Sequence, residues 1–429
     1  MASSKLKTLT LGCKVNQYET EYLREGLHSI GFSDADKDEG ADLCIVNTCT
    51  VTNEGDSKSR QIIRKMAKEN PTSNIVVMGC YATRAPEEVR QLPNVVEVVT
   101  DKRELPDILG RFGVVDIPTG ISSFGNRKRA YIKVQDGCLL KCSYCIIPSV
   151  RPNVISRPPG HILDEVRRLY DSGHQEMVLT GVHLGHYGVE QNKGKPKKDW
   201  LRLHHLLEKM VKIPGDFRLR LSSIEATEIT HELIDVLVAN PEKICPHMHV
   251  CLQSGSDRIL RLMRRRWGTK RFIDRCHLLQ ERLDLPALTT DLIVGFPGET
   301  DEEFQQSCDV SRAVGFSKIH AFPFSARRTT PAADMAGQLS KKEKQGRIRR
   351  LIEVERELKE EYHQKLVGRN LTVLAESPSR EKEGHLVGTS CRYAPVEFAA
   401  DESMYGQLVE VTIVHADSEK LSGIVVNGL

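Results

Sequence analysis

The chain contains 429 residues, which is too long for one ordinary hydrophobic core, so we expect two or three domains. Its 61 basic and 58 acidic side chains nearly cancel, so any affinity for nucleic acid must come from local patches. No apolar run approaches the ~20 residues that span a bilayer, and the first residues lack the apolar region of a secretory signal. We therefore expect a cytoplasmic protein without a membrane partner, whose 12 cysteines serve metal binding, catalysis or burial rather than disulfides.

The first 110 residues alternate strand-like and helix-like segments, a pattern typical of a parallel sheet covered by helices. Three of the strand-like runs end at a cysteine, namely Cys13, Cys49 and Cys80. Because ligands of such sheets bind beyond the carboxyl ends of the strands, we expect three thiols at one edge. Buried strand-end thiols are an alternative, since free cysteine is among the most buried residue types.

The middle of the chain, residues 130 to 330, contains six strand-like segments that alternate with amphipathic stretches. This order predicts an incomplete (β/α) barrel, with its chemistry at the carboxyl ends of the strands. The stretch before it, residues 114 to 129, contains two glycines and one proline and is expected to be a linker. Residues 340 to 366 predict a long charged helix, and short alternating runs from Gly368 onward predict a small all-β barrel.

The strongest chemical signal is the segment DGCLLKCSYCIIP, which directly follows a predicted strand. It places Cys138, Cys142 and Cys145 in the spacing C-x3-C-x2-C. Three thiolates on one loop can bind three irons of a [4Fe–4S] cluster and leave the fourth iron open to a small ligand. A zinc site is the alternative, but it usually needs a fourth nearby cysteine or histidine, and none follows at that spacing.

This spacing, with Tyr144 before the last cysteine, resembles the cluster motif of the radical S-adenosylmethionine (SAM) superfamily. Further segments follow, in order, the pattern of the methylthiotransferases of that superfamily: LGCKVNQYET, NTCTVT, GCYATR, TGVHLGHYG, LRLSSIE, LQSGSDRIL, DLIVGFPGET and FPFSARRTTPA. The resemblance covers nearly the whole chain. It implies a doubly wound amino-terminal methylthiotransferase domain (1–112), an incomplete (β/α)6 radical SAM core (124–358) and a small all-β TRAM domain that binds RNA (362–429).

The resemblance also implies the residues of the active site. Cys138, Cys142 and Cys145 would hold the cluster that cleaves SAM and are the expected catalytic residues. A second [4Fe–4S] cluster would be held by Cys13, Cys49 and Cys80. The expected SAM contacts are Gly181, Ser223, Glu225 and Gln253, although the residue types alone are equally compatible with helix N-caps or turns.

The form of the first motif, LGCKVNQYET, resembles the branch of the family that acts on N6-threonylcarbamoyladenosine (t6A). The implied reaction adds a methylthio group to C2 of t6A at position 37 of tRNA and uses two SAM molecules. A radical derived from SAM removes a hydrogen atom, and a methylated sulfur at the second cluster fills the carbon. The implied partners are tRNA, a sulfur donor and an electron donor such as flavodoxin or ferredoxin.

Two alternative substrates and one non-catalytic function are retained. The isopentenyladenosine branch tends toward Gly-Cys-Gln-Met-Asn in the first motif, and the branch that modifies an aspartate of a ribosomal protein tends toward Gly-Cys-Pro-Lys-Asn. An iron–sulfur protein that binds RNA without turnover is an alternative of another class. The cleavage of SAM by the reduced protein would distinguish an enzyme from such a binding protein.

Two further features bear on RNA binding and on the active site. The basic run at residues 261 to 271 is a solvated helix face or, in an RNA-binding enzyme, a set of phosphate contacts that includes Arg264, Arg265 and Arg266. Since residues 368 to 429 supply no cluster ligand, we expect their removal to weaken RNA binding and to spare SAM cleavage.

The chain departs from the family pattern at the segment 151–153 (Arg-Pro-Asn) and at Cys251, both beside the expected site.

Overall fold

The computed structural model describes residues 4–125 and 127–426. The α-helices are α1 (Lys14–His28), α2 (Asn53–Glu69), α3 (Cys80–Arg84), α4 (Pro86–Arg90), α5 (Leu105–Arg111), α6 (Ile147–Val150), α7 (Pro159–Asp171), α8 (Leu203–Met210), α9 (His231–Ala239), α10 (Asp257–Leu262), α11 (Thr269–Arg282), α12 (Asp301–Val314) and α13 (Lys341–Gln364). Within the described ranges, none of these helices combines the length and the apolar character that crossing a membrane requires.

The β-strands are β1 (Lys5–Thr10), β2 (Ser33–Asp34), β3 (Leu43–Thr48), β4 (Asn74–Gly79), β5 (Val95–Val98), β6 (Arg129–Asp136), β7 (Ile155–Ser156), β8 (Glu176–Gly181), β9 (Arg218–Leu221), β10 (Ser223–Ile224), β11 (His247–Val250), β12 (Ala287–Val294), β13 (Lys318–Pro323), β14 (Asn370–Pro378), β15 (His385–Ser390), β16 (Pro395–Ala399), β17 (Leu408–Ala416) and β18 (Leu421–Val425). They form one amino-terminal sheet, two half-barrel sheets and one closed barrel.

The amino-terminal sheet is entirely parallel and has the order β2-β1-β3-β4-β5. Alternate residues of β3 pack on opposite faces: Leu43 and Ile45 face α1 and α5, whereas Cys44 and Val46 face α2, α3 and α4. The predicted doubly wound fold is therefore confirmed. The chain reverses its direction across the sheet between β1 and β3, and this switch point is where such folds bind ligands.

All six strands predicted for the middle of the chain are confirmed. The order β7-β6-β8-β9 forms one sheet and β10-β11-β12-β13 forms the other, because the third barrel strand breaks at Ser222 into β9 and β10. A bridge between Leu219 and Ile244 joins the two sheets. No pairing between described strands joins β6 to β13, so the (β/α)6 barrel is incomplete, as predicted.

The amino-terminal domain covers the gap between β6 and β13. On the β6 side α1 packs against the strand, and the buried Arg151 donates hydrogen bonds to Glu19 of α1 (2.7 Å) and Asp136 (2.8 Å). On the β13 side the buried Arg327 donates to Thr50 Oγ1 (2.7 Å) and Asp56 (3.0 Å). Both edges of the barrel are thus tied to the domain that carries the first three cysteines.

The segment expected to be a linker is packed against the protein. Ile121 and Phe124 are buried, and the backbone N–H groups of Ile121 and Ser122 donate to Glu165 (2.8 Å) and Glu25 (2.6 Å). Asn126, which also belongs to this segment, lies outside the described residues. The connection therefore fixes the amino-terminal domain on the barrel.

The carboxyl-terminal strands form a closed barrel in the order β14-β15-β16-β18-β17, which confirms the predicted all-β barrel. It lies against the (β/α)6 barrel, where Arg218 donates to the carbonyls of Thr372 (2.6 Å) and Thr389 (2.8 Å). Arg220 donates in the same way to Ser390 (2.9 Å) and Cys391 (3.1 Å). Residues 368 to 429 therefore also support the larger barrel, and the expectation that their removal spares SAM cleavage stays a prediction.

Candidate functional site

A cavity of about 650 Å³ lies between the amino-terminal domain and the interior of the (β/α)6 barrel. Its amino-terminal side is formed by Cys13, Cys49 and Cys80, and Tyr393 of the carboxyl-terminal barrel also lines it. All three domains therefore contribute to one cavity. The barrel side chains that line it include Arg129, Tyr131, Thr180, Arg220, Ser222, Ser223, His247, His249, Thr289, Asp291 and His320.

Glycines allow the three amino-terminal cysteines to converge at the sheet edge. Gly12 has φ of +101°, and a Cβ atom there would lie 3.0 Å from Cys49 Cβ and 3.1 Å from Cys49 Sγ. Gly79 has φ of +96° directly before Cys80, and its missing Cβ leaves room for the carbonyl of Thr48. Both positions favour glycine on backbone conformation and on space. The predicted meeting of the β1, β3 and β4 ends is thus present.

Two of the cysteine sulfurs in the second set accept hydrogen bonds, one from the loop itself and one from Arg265. The backbone N–H of Leu140 donates to Cys138 Sγ (3.4 Å), and the guanidinium of Arg265 donates to Cys142 Sγ (3.5 Å). Burial raises the pKa of Cys138 to about 11 and that of Cys145 to about 12. These thiols are therefore protonated at neutral pH unless a metal binds them as thiolates.

The two cysteine sets are connected through a short apolar contact. Cys80 packs with Ile146 and Val150, and Ile146 directly follows Cys145. None of the 12 cysteines forms a disulfide. Each set consists of three thiols, which suits a cluster that leaves one iron open for chemistry.

Arg151 lies next to both cysteine sets. Its guanidinium donates to Asn16 Oδ1 (3.0 Å), and the same oxygen lies 3.8 Å from Cys13 Sγ. The carbonyl of Arg151 accepts the backbone N–H of Cys138 (3.3 Å). The departure from the family pattern in the segment 151–153 therefore directly follows a residue that contacts both loops. Within that segment, the carbonyl of Asn153 occupies the space beside Gly137.

The four predicted SAM contacts have different surroundings. Gly181 and Ser223 line the cavity at the ends of two barrel strands. The carboxylate of Glu225 accepts hydrogen bonds from Arg265 and from Trp267 Nε1 (2.9 Å). Gln253 is buried with φ of +68°, and its backbone bonds to β12. All four assignments stay predictions, and in this structure Glu225 already has protein partners.

The basic run does not form a single solvated face. Arg265 is buried beside Cys142 and pairs with Glu225, whereas Arg266 pairs with Glu228 (3.2 Å) at the surface. Arg264 has φ of +59° and lines a separate surface pocket with Arg266. The expectation of three equivalent phosphate contacts is therefore wrong for Arg265, whose role is local to the cluster loop.

A group of polar side chains on the far side of the cavity, which we call the polar wall, consists of His247, His249, Thr289, Asp291 and His320. From the sequence, His247 and His249 were noted near a strand end but interpreted as packed or hydrogen-bonding residues, and the other three were missed. His249 contacts Asp291 through Nε2 (3.3 Å) and Thr289 through Nδ1 (3.0 Å). Burial is the main reason that the pKa values of His247 and His320 are lowered, so both are neutral at pH 7. The available signal was the spacing of two between the histidines of β11, which puts both on one face of a strand.

The sulfur of Cys251 lies within 4.8 Å of ligand atoms of His249 and Asp291. Cys251 is the second departure from the family pattern, and burial raises its pKa well above the usual value. The thiol is therefore neutral at pH 7. It adds a compact, weakly polar group beside the polar wall.

Two family descriptions match the chain. Residues 5–101 match the description "Uncharacterized protein family UPF0004", and residues 132–310 match "Radical SAM superfamily". Among solved structures, a radical SAM methyltransferase, TsrM, from Kitasatospora setae aligns over 77% of each chain with a TM-score of 0.57 and 15% identity. At that identity the likeness concerns the fold alone, and it agrees with the incomplete barrel described above.

Curated relatives match nearly the whole chain. The threonylcarbamoyladenosine tRNA methylthiotransferase MtaB of Bacillus subtilis (strain 168) is 38% identical over 95% of this chain and 93% of its own length. The protein of the same name from Thermotoga maritima is 36% identical over 86% and 85%. A tRNA-2-methylthio-N(6)-dimethylallyladenosine synthase of Aquifex aeolicus (strain VF5) is 31% identical over 98% of each chain.

Proposed function

Because the chain belongs to the radical SAM methylthiotransferase family, we propose that it transfers a methylthio group to C2 of t6A in tRNA. The observation that carries the proposal is the proximity of two cysteine triads, none of whose thiols forms a disulfide. Cys13, Cys49 and Cys80 line the cavity between the amino-terminal domain and the barrel, and Cys80 packs against Ile146, which directly follows Cys145 of the other triad. Relatives named for the t6A reaction are 34–38% identical to this chain, which supports t6A as the substrate.

Both triads fit a [4Fe–4S] cluster by their donor sets. Cys138, Cys142 and Cys145 would hold one cluster, and Cys13, Cys49 and Cys80 would hold the other. Backbone N–H groups point at the Cys138, Cys145 and Cys49 sulfurs, as is common for cluster thiolates. When bound, the clusters and SAM supply radical chemistry and the transferred sulfur.

The protein's own residues shape the space for the nucleoside. Gly181 and Ser223 offer SAM an approach to the strand ends, and the polar wall offers hydrogen-bond partners to a purine and its substituent. The amino-terminal domain packs on the open side of the barrel through α1 and β6, which reduces the access of water to the cavity. Arg265 and Glu225 hold the cluster loop against α10 and do not need to contact the substrate.

The three units proposed for the chain are the methylthiotransferase domain (1–112), the radical SAM core (124–358) and the TRAM domain (362–429). In this division the third unit has two tasks. It binds RNA, and it closes the cavity with Tyr393. A tRNA-modifying enzyme of this kind acts in the cytoplasm and draws electrons and sulfur from protein or small-molecule donors.

The proposal is tested by the nucleosides of total tRNA from a strain that lacks this gene. Mass spectrometry should show that the methylthio derivative of t6A disappears while t6A itself remains. Expression of the wild-type chain should restore the derivative, and the Cys49→Ala chain should not. A loss confined to methylthio-isopentenyladenosine would overturn the assignment of the substrate.

A further inference from the structure

Lys14, the residue after Cys13, places its side chain in the central cavity. It lines the cavity with the amino-terminal cysteines, and its ammonium group lies 6.0 Å from the centre of the Tyr131 ring on β6. Its positive charge also acts across the cavity: it contributes to the lowered pKa values of His247 and His320, although less than burial and less than nearer groups such as Arg220 and His249. The ammonium group therefore faces both the sulfur-bearing edge and the polar wall.

The other cations of the cavity are already neutralised. Arg151 pairs with Glu19 and Asp136, and Arg129 and Arg220 pair with Glu176. Asp291 is the one acidic residue among those that line the cavity, and it is held by His249. Within the described ranges, the ammonium group of Lys14 has no hydrogen-bond or ion-pair partner.

The position of Lys14 is also unfavourable for the helix that carries it. Lys14 is the first residue of α1, where the helix dipole presents positive charge, and the first turn contains no acidic side chain. A cation is destabilising there, whereas a neutral side chain is not. An unpaired cation at a helix start, inside a cavity, indicates a ligand that carries negative charge.

We propose that Lys14 recognises the carboxylate of the threonyl group of t6A and thereby selects this substrate over adenosines with a neutral hydrocarbon substituent. The inference rests on the proposed function and adds the residue that recognises the substituent on N6 of the adenosine. The threonyl group ends in a carboxylate, and an isopentenyl group has neither charge nor hydrogen-bonding atoms. A lysine ammonium group pairs with the carboxylate, whereas a bound isopentenyl group would leave the ammonium group desolvated and without a partner.

The geometry assigns a direction to the nucleoside. With the carboxylate at Lys14, the substituent lies along Tyr131 and the purine lies toward the polar wall and the strand ends at Gly181 and Ser223. A charge-assisted pair in a partly buried site changes affinity by about tenfold or more, which is enough to decide between the two adenosines.

The test uses the reconstituted full-length protein and two anticodon stem-loop RNAs that differ in one group. One carries t6A, and the other carries t6A with its carboxylate converted to the methyl ester. For the wild-type protein, kcat/KM for thiomethylation should favour the acid by about tenfold or more. In Lys14→Gln the ratio of the kcat/KM values for the acid and ester RNAs should fall to near one, mainly because KM for the acid RNA rises. Lys14→Arg should restore the preference for the acid RNA.

A matched control is Lys65→Gln, which removes an exposed lysine from α2 of the same domain. It should keep the wild-type preference. Because Lys14 opposes the helix dipole, Lys14→Gln should unfold at the same temperature as the wild type or higher, which excludes misfolding as the cause.

The outcomes separate the inference from the proposed function. If the wild-type protein thiomethylates neither RNA while it cleaves SAM, the proposed function fails. If it modifies both RNAs equally, or if Lys14→Gln keeps the preference for the acid, the role of Lys14 is overturned and the function stands. An equal loss of rate on both RNAs in Lys14→Gln also overturns it, because the cation would then act on the neighbouring cysteine set.

Discussion

Glu176 is the centre of the contact between the two barrels, and its replacement by glutamine should destabilise both. Its fully buried carboxylate pairs with Arg129 (2.8 Å), Arg218 (2.6 Å) and Arg220 (2.8 Å), and two of these arginines hold four backbone carbonyls of the carboxyl-terminal barrel. Glu176→Gln keeps the shape of the side chain and removes the charge. Three guanidinium groups then remain buried around a neutral amide, which we expect to cost about 3–5 kcal/mol.

The matched control is Glu376→Gln. Glu376 pairs with the same Arg129 at 3.1 Å, but its side chain is 32% exposed, so we expect a loss below about 1 kcal/mol. Urea unfolding can be followed by tryptophan fluorescence, since one of only two tryptophans, Trp267, is buried in the barrel. Proteolysis of the carboxyl-terminal barrel should begin at lower urea in Glu176→Gln. If both variants unfold at the same urea concentration, the buried ion cluster does not hold the two barrels together.

Four further predictions follow from the structure. Changing Cys138, Cys142 and Cys145 together to alanine should halve an iron content of about eight per chain and abolish SAM cleavage, so retained cleavage would exclude that loop as the reductive site. Cys49→Ala should keep SAM cleavage and lose thiomethylation, and full product formation by that variant, measured by mass spectrometry, would remove the need for a second cluster. Burial and the charge of Glu225 raise the pKa of Glu228 to about 7. The wild-type protein should therefore lose stability relative to Glu228→Gln as the pH rises from about 4.5 to 7. A difference in melting temperature between the two proteins that stays constant over this pH range would contradict the raised pKa. Replacing Arg264 and Arg266 by glutamine, with Arg265 kept, should flatten the salt dependence of tRNA binding in filter assays, and an unchanged slope would exclude both as phosphate contacts.

The sequence predicted the elements whose signals are local. The six barrel strands follow from apolar runs between amphipathic stretches, and the cysteine positions follow from spacing and from the ends of those runs. The topological switch point then brings Cys13 and Cys49 together, because carboxyl ends of neighbouring parallel strands share one edge. The short strand β2 and the helix α5 were not anticipated, since each is brief and completes a layer that other elements define.

Partners distant in sequence were not predictable in the same way. Glu225 at a strand end looked available for SAM, and Arg265 in a basic run looked solvated, yet the two neutralise each other across 40 residues. Arg218 and Arg220 have the appearance of surface charges, but their partners are Glu176 and carbonyls about 150 to 170 residues away. Burial of a charge depends on such partners, and a pattern of residue types does not reveal them.

The most direct test of the account is a side-by-side assay of the anaerobically reconstituted full-length protein with SAM, a reductant and two anticodon stem-loops. One RNA carries t6A and the other carries isopentenyladenosine, with otherwise identical sequence. Mass spectrometry of the digested RNA should detect the methylthio product on t6A and little or none on isopentenyladenosine. Product on the isopentenyladenosine RNA alone, or SAM cleavage with product on neither RNA, would contradict the account.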